Sequence, residues 1–156
     1  MIELKKVETK DRQLFWNVNQ KYLYEMTNYY DDLMDEEGNY QYDYFDEYFT
    51  DPKRIVYLIY YNNNLAGFAM INPYSYLDKT PDYVMAEFTI FPVYRKKHIA
   101  TNVIDSIFQQ HAGLWEIKYN ENNLPAKTLW NKVCAKYSPI QTHLTEFETV
   151  LSFSTK

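Results

Sequence analysis

The sequence predicts an α/β domain (α+β in its strand pairing), a mixed β-sheet with helices on its faces. Three observations predict it. Strand-like and helix-like segments follow one another in the order β-α-α-β-β-β-α-β-α-β-β. The 156 residues fit one domain with a proper core, so residues 1–156 are read as a single unit. The hydrophobic fraction of 46% is enough to fill that core and excludes disorder by composition. No internal repeat is present, and no Pro- or Gly-rich linker splits the chain.

Each element has its own signal. Residues 2–8, IELKKVE, alternate weakly and read as a first strand. Over 11–30, Leu14, Phe15, Val18, Tyr22 and Met26 recur at helical spacing, with Asp11 as the expected N-cap. The acidic and aromatic stretch 31–51 turns at Gly38 and Asn39, and its second half reads as a short helix. Strands at about 54–61 and 65–72 flank an Asn-rich turn at 62–64, the signature of a β-hairpin. DYVMAEFTIFP is another strand, ended by Pro92. HIATNVIDSIFQQHAG is a helix with Ile99, Val103, Ile104 and Phe108 on one face and Gly113 as its expected C′ stop. LWEIKYN is a strand, and NLPAKTLWNKVCAKY is a helix with Pro125 in its first turn. Two strand-like runs in IQTHLTEFETVLSFST close the chain. With only 3 glycines, the turns must rely on Asn, Asp and Pro.

Composition excludes several function classes. The net charge of −5 argues against a nucleic-acid binder, which needs a basic face. No apolar run is long enough to span a bilayer, and the N-terminus has no apolar signal-peptide region. The one cysteine, Cys134, cannot close an intramolecular disulfide and reads as a small buried hydrophobe, which fits a reducing compartment. A cytoplasmic protein with no membrane partner is expected. His98, His111, His143 and Cys134 lack metal-ligand spacing, so no metal site is expected. The stretch around Gly38 has the acid density of a calcium loop. With Gly38 at the turn position, however, the first ligand position falls on Leu33 and the last on Tyr44.

The strongest local signal is EFTIFPVYRKKHIATNVIDSIFQQH, residues 87–111. An acidic chain here gathers Arg95, Lys96, Lys97 and His98 into one strand-to-helix turn. A helix N-terminus presents unpaired amides and partial positive charge, so a turn feeding into it can cradle an anion. A solvated basic turn is the plain alternative. Neither common glycine-rich phosphate fingerprint is present.

YRKKHIA resembles the [QR]-x-x-G-x-[GA] coenzyme A loop of the GNAT superfamily of N-acetyltransferases, with Arg95 first, Ala100 last and His98 where the middle glycine usually stands. MAEFTIFPVYR is similar to the strand that precedes that loop. NLPAKTLW resembles the N-x-x-A-x-x-[LF]-[YW] helix through Asn123, Ala126, Leu129 and Trp130. The element order is also that of the superfamily, so the resemblance covers nearly the whole chain. Within it, EF on the central strand and the tryptophans of LWEIKYN and TLWNKV are similar to a bacterial group of acetyltransferases.

The resemblance implies a mostly antiparallel sheet with a V-shaped split, and acetyl-coenzyme A as cofactor. The pantetheine would pair with the backbone of Phe88, Thr89 and Ile90. The pyrophosphate would sit on the amides of Lys96, Lys97, His98, Ile99, Ala100 and Thr101, with Arg95 adding charge. Asn123 would contact the pantetheine or stabilise its own helix end, and Leu124 and Ala126 would pack near the cofactor. The superfamily often places a tyrosine acid where Trp130 stands, and an indole N–H is no proton source near neutral pH. Trp130 would then pack against the cofactor's thioester end or lie in the core. Thiolate is a good leaving group, so activity does not require that acid.

Acyl transfer to an amine needs a proton acceptor, and Glu87 on the central strand is the best candidate. The plain alternative is a strand glutamate that binds a cationic substrate. Residues 31–51 hold nine acidic residues and no Lys or Arg, interleaved with Tyr40, Tyr42, Tyr44 and Tyr48. Carboxylates among aromatic faces attract cationic amines. The expected acceptor is a small-molecule or peptide primary amine, with the protein a monomer or homodimer. A non-catalytic acyl-coenzyme A-binding module, or a protein-interaction module using the acidic tract, is the alternative.

Overall fold

A computed structural model describes all 156 residues. Its strands are β1 (Ile2–Lys6), β2 (Ile55–Tyr61), β3 (Asn64–Asn72), β4 (Tyr83–Ile90), β5 (Leu114–Asn120), β6 (Ile140–His143) and β7 (Glu148–Ser154). Its helices are α1 (Arg12–Met26), a single turn α2 (Glu47–Thr50), α3 (Ile99–Gln110) and α4 (Leu124–Cys134). Seven strands form one sheet in the order β1-β2-β3-β4-β5-β7-β6. Every neighbouring pair is antiparallel except β4–β5. The fold is the expected mixed α/β sheet with flanking helices.

Two apolar layers bury the two faces. One joins α3 and α4 to the sheet through Val103, Ile104, Ile107, Phe108, Trp115 and Trp130, all nearly inaccessible. The other packs Phe15 and Val18 of α1, Tyr48 of α2 and Phe45 from the turn before α2 against Leu58, Phe68 and Met70. Cys134 is wholly buried in the first layer, and burial pushes its thiol up to about 12. It packs as a small apolar residue, as expected. No helix is long and apolar enough to cross a membrane.

Local chemistry explains where the elements start and stop. The β2–β3 hairpin turns on Asn62 and Asn63, both at positive φ (48° and 69°), the conformation a two-residue turn demands. Helix α1 ends at Met26, not at residue 30. The Thr27 hydroxyl and the Asn28 amide donate to the carbonyls of Tyr24 and Glu25 and so compete with a further helical turn. Asp11 does not cap α1 with its side chain. It accepts from the Glu8 amide at 3.0 Å and closes a 3-10 turn over Thr9–Asp11. Gly113 is not a left-handed helix stop. It is required because a Cβ there would lie 2.5 Å from Asp82 Oδ2.

Gly67 has the same kind of role in the sheet. A Cβ on it would lie 2.1 Å from the carbonyl oxygen of Thr89 on β4. Gly67→Ala is expected to cost about 1–3 kcal/mol by forcing β3 away from β4. Urea unfolding measures this, and an unchanged midpoint would mean that the strands separate freely there.

Candidate active site

The site is created by a pairing that stops early. β4 and β5 pair only over Tyr83–Met85 against Trp115–Ile117. On its other edge β4 continues along β3, but with a register shift that leaves Ala86 without a partner. A bulge of this kind bends its strand. Beyond it the two strands part, as the V-shaped split requires. A cleft of about 910 Å³ follows β4 and reaches both faces of the opening.

At the C-terminal end of β4 the chain turns into α3. The Phe91 amide donates to the Ala66 carbonyl at 2.7 Å, and Pro92–Tyr94 form a 3-10 turn. Lys96 and His98 both take left-handed φ (64° and 60°). Histidine therefore holds the conformation for which a glycine was expected. The amides of Lys96, Lys97 and His98 donate to no backbone or side-chain acceptor. Those of Ile99, Ala100 and Thr101 form the first turn of α3, where no intrahelical acceptor exists. The buried Ile99 side chain anchors that turn, while Lys96, Lys97 and His98 are exposed. The turn thus presents a run of free N–H donors with two lysine side chains beside it.

The remaining residues expected on the cofactor side fall into distinct groups. Phe88, Thr89 and Ile90 line the cleft, as do Ala100 and Lys96. Lys97, His98, Ile99 and Thr101 lie in the adjoining turn. Asn123 caps α4 by accepting from the Ala126 amide at 3.2 Å, and both residues border the cleft. Trp130 is buried and meets the Phe88 ring edge-on at 5.6 Å, which makes it a wall of the cleft. Arg95 lines the cleft and also has protein partners. Its guanidinium forms a fork on Glu25 at 2.9 and 2.8 Å, and its Nε donates to the Ile90 carbonyl at 2.7 Å. It fastens the end of β4 to the end of α1.

On the opposite face, Glu87 is partly buried at the bulge, level with Met70. Tyr22 of α1 donates to one carboxylate oxygen at 2.9 Å, and Tyr42 of the 31–46 segment donates to the other at 2.8 Å. Burial raises its pKa, while the two hydroxyls and Lys118 pull it back and Asp32 adds to the rise. A carboxylate retains further lone pairs beyond these two bonds. Glu87 therefore has both a raised proton affinity and room for one more donor.

Sequence reading placed Tyr22 on a core-facing helix stripe and Tyr42 in the acidic and aromatic tract expected to attract a cationic acceptor. It did not foresee that they meet on Glu87, 65 and 45 residues away in the chain. Lys118, Tyr76 and Arg54 also line the cleft and were missed. A tyrosine on a buried stripe, whose hydroxyl must find a partner, was the one available signal. Tyr44 and Tyr48 stand four residues apart, yet Tyr48 is core at 7% exposure and Tyr44 is 61% exposed on the cleft rim.

Comparison with known proteins accords with this geometry. The family model described as Acetyltransferase (GNAT) family matches residues 20–135. The chain belongs to that acetyltransferase family. No curated protein matches the sequence. Among solved structures, an acetyltransferase from Thermus thermophilus is similar at 12% identity, covering 99% of this chain and 97% of its own, with a TM-score of 0.70. Arabidopsis thaliana NAA60 in complex with acetyl-CoA is similar at 10% identity over 99% and 98%, with a TM-score of 0.62. PaiA N-acetyltransferase from Thermoplasma acidophilum, in complex with coenzyme A, is similar at 11% identity over 99% of both chains, with a TM-score of 0.64. At these identities the likeness is one of fold.

Burial dominates the titration of Glu87, and the two hydroxyls oppose it. Tyr42→Phe removes a donor that stabilises the carboxylate, so the pKa of Glu87 is expected to rise further. Because its folded pKa already exceeds its ordinary value, the native state gains from the protonated form at low pH. That gain is lost as pH rises through the raised pKa. NMR titration of the glutamate carboxyl carbons should show one resonance moving to a higher midpoint in Tyr42→Phe. An unmoved midpoint would mean that the Tyr42 bond does not form in solution.

Proposed function

We propose that the protein is an acetyl-coenzyme A-dependent N-acetyltransferase that acts in the cytoplasm on a primary amine entering as its ammonium form. One observation carries this reading. The parted strands place a turn of free amides at one end of a cleft and a partly buried carboxylate at its middle. The amides and the two lysines suit a pyrophosphate. The open edge of Phe88–Ile90 suits the amide groups of a pantetheine. Acetyl-CoA and CoA in the NAA60 and PaiA structures support the same assignment.

Acetyl-coenzyme A supplies an acetyl group activated as a thioester. Glu87 takes one proton from the ammonium, directly or through a water, and frees the nitrogen lone pair. With acetyl-coenzyme A bound, the freed nitrogen would bond to the thioester carbonyl carbon as the C–S bond breaks, and the second proton lost from that nitrogen would pass through water to the departing thiolate, giving the amide and the coenzyme thiol. The raised proton affinity of Glu87, caused by burial, makes it a stronger base than an ordinary carboxylate. The tyrosines around it, with Asp32 and Asp43 on the rim, favour the cationic form of the acceptor. Trp130 closes the cleft wall and supplies no proton.

Calorimetry with acetyl-coenzyme A, and thiol release over a panel of amines, test the proposal. Glu87→Gln is expected to reduce kcat by about 10²–10⁴-fold with cofactor affinity unchanged. Equal turnover would remove Glu87 from the base role, and absence of cofactor binding at high micromolar concentration would overturn the whole reading. His98→Gly is expected to keep coenzyme affinity or raise it, since glycine takes φ near 60° without steric cost. A large loss in that variant would mean that the imidazole itself contacts the cofactor.

A further inference from the structure

Arg54 lies at the far end of the same cleft from the basic turn. It directly precedes β2, whose first residue Ile55 pairs with Ile71, so Arg54 stands level with Asn72 at the end of β3. Glu87 is level with Met70, two residues back along β3, which is roughly 7 Å in the strand direction. The basic turn follows Ile90, in the other direction. Glu87 therefore sits between an amide-rich turn and a second cation.

The Arg54 side chain is only 11% exposed. Its guanidinium stacks among Tyr44, Tyr48 and Tyr74 at 4.8, 5.3 and 4.5 Å from the ring centres. Tyr44 takes positive φ (68°) in the segment that delivers its ring to this stack. The guanidinium has five N–H donors, yet none makes a well-aligned hydrogen bond within the chain. Nε is buried and unsatisfied: Asp51 Oδ2 approaches it at 3.3 Å but off the N–H direction. That oxygen already accepts from the Tyr74 hydroxyl at 2.7 Å. Arg54 is ion-paired with Asp51, but no guanidinium N–H is aligned on that carboxylate; a cation held among aromatic rings at the cleft lining thus keeps donor directions for a planar anion.

We infer that Arg54 binds a carboxylate of the acceptor, so that the substrate class is an amine that also carries a carboxylate, such as an amino acid or a short peptide. The inference rests on the proposed acetyl transfer and adds its specificity. The ammonium faces Glu87, and the planar carboxylate takes the free donors of Arg54 as a fork. The aromatic stack is ready before binding, so little side-chain freedom is lost. Stacking and the Asp51 ion pair account for the rings and part of the charge but leave the guanidinium N–H groups without an aligned acceptor.

Two measurements separate this inference from the reading on which it rests. In turnover, L-amino acids are compared with their primary amides and decarboxylated amines over a range of side chains. The free acids are expected to exceed the matched amides by about 10–100-fold in kcat/KM. Arg54→Gln should abolish that preference by lowering turnover of the acids far more than that of the amides, and Arg54→Lys should retain part of it. Binding of N-acetyl amino acids and their amides to the coenzyme A complex is measured in parallel by calorimetry. A free-acid preference in binding that disappears in Arg54→Gln, without turnover of any amine, supports Arg54 and overturns the enzymatic reading. Turnover or binding indifferent to the carboxylate overturns the Arg54 inference and leaves the enzymatic reading intact. Equal losses for acids and amides in both variants mean a structural role and overturn it too, as does failure of both product types to bind.

Discussion

The three-residue pairing between β4 and β5 is the constraint on which the rest of the site depends. A longer parallel ladder would close the sheet and use up the backbone groups of Phe88 to Ile90. The Ala86 bulge sits where that ladder stops, and it changes which face each following side chain occupies. Phe88 then packs toward Trp130 and α4, while Glu87 turns to α1. One inserted residue thus separates the cofactor side of the cleft from the acceptor side.

Helix α1 ties the two sides together. Tyr22 and Glu25 stand three residues apart on its last turns and so share a face. Tyr22 holds Glu87, and Glu25 holds Arg95 at the root of the amide-rich turn. The end of α1 therefore positions both the carboxylate and the loop. Thr27 and Asn28, by stopping the helix there, allow the chain to cross the cleft with the acidic and aromatic segment that carries Tyr42 and Tyr44.

Charge is arranged along the cleft by this architecture. The chain is acidic overall, yet Lys96 and Lys97 flank free amides at one end and Arg54 stands at the other. Lys118 is paired with Glu148 at 2.8 Å and lies 4.9 Å from the Tyr76 ring centre, so its charge is largely answered. Glu87 is the carboxylate left in the middle, with tyrosines rather than cations as its direct partners. Neutral donors hold it without quenching its affinity for a proton.

The element order, the hairpin and the basic turn were legible in the sequence because each depends on local rules. Alternation marks a strand, 3.6-residue spacing marks a helix, and Asn-Asn suits left-handed φ in a tight turn. The turn around His98 was legible as well, since its free amides follow from a helix start. Three local expectations failed where a different contact prevailed: Gly113 answers to Asp82, Asp11 to Glu8, and the end of α1 to its own Thr27 and Asn28. The sequence by itself determined the sheet-and-helix order and the likeness to an acetyltransferase. Only the tertiary structure decided that Tyr22 and Tyr42 hold Glu87, that Arg95 pairs with Glu25, and that Arg54 enters the cleft among aromatic rings with no aligned hydrogen-bond acceptor. Those pairings join residues tens of positions apart, and nothing in local spacing records which side chains the folded sheet brings within hydrogen-bonding distance.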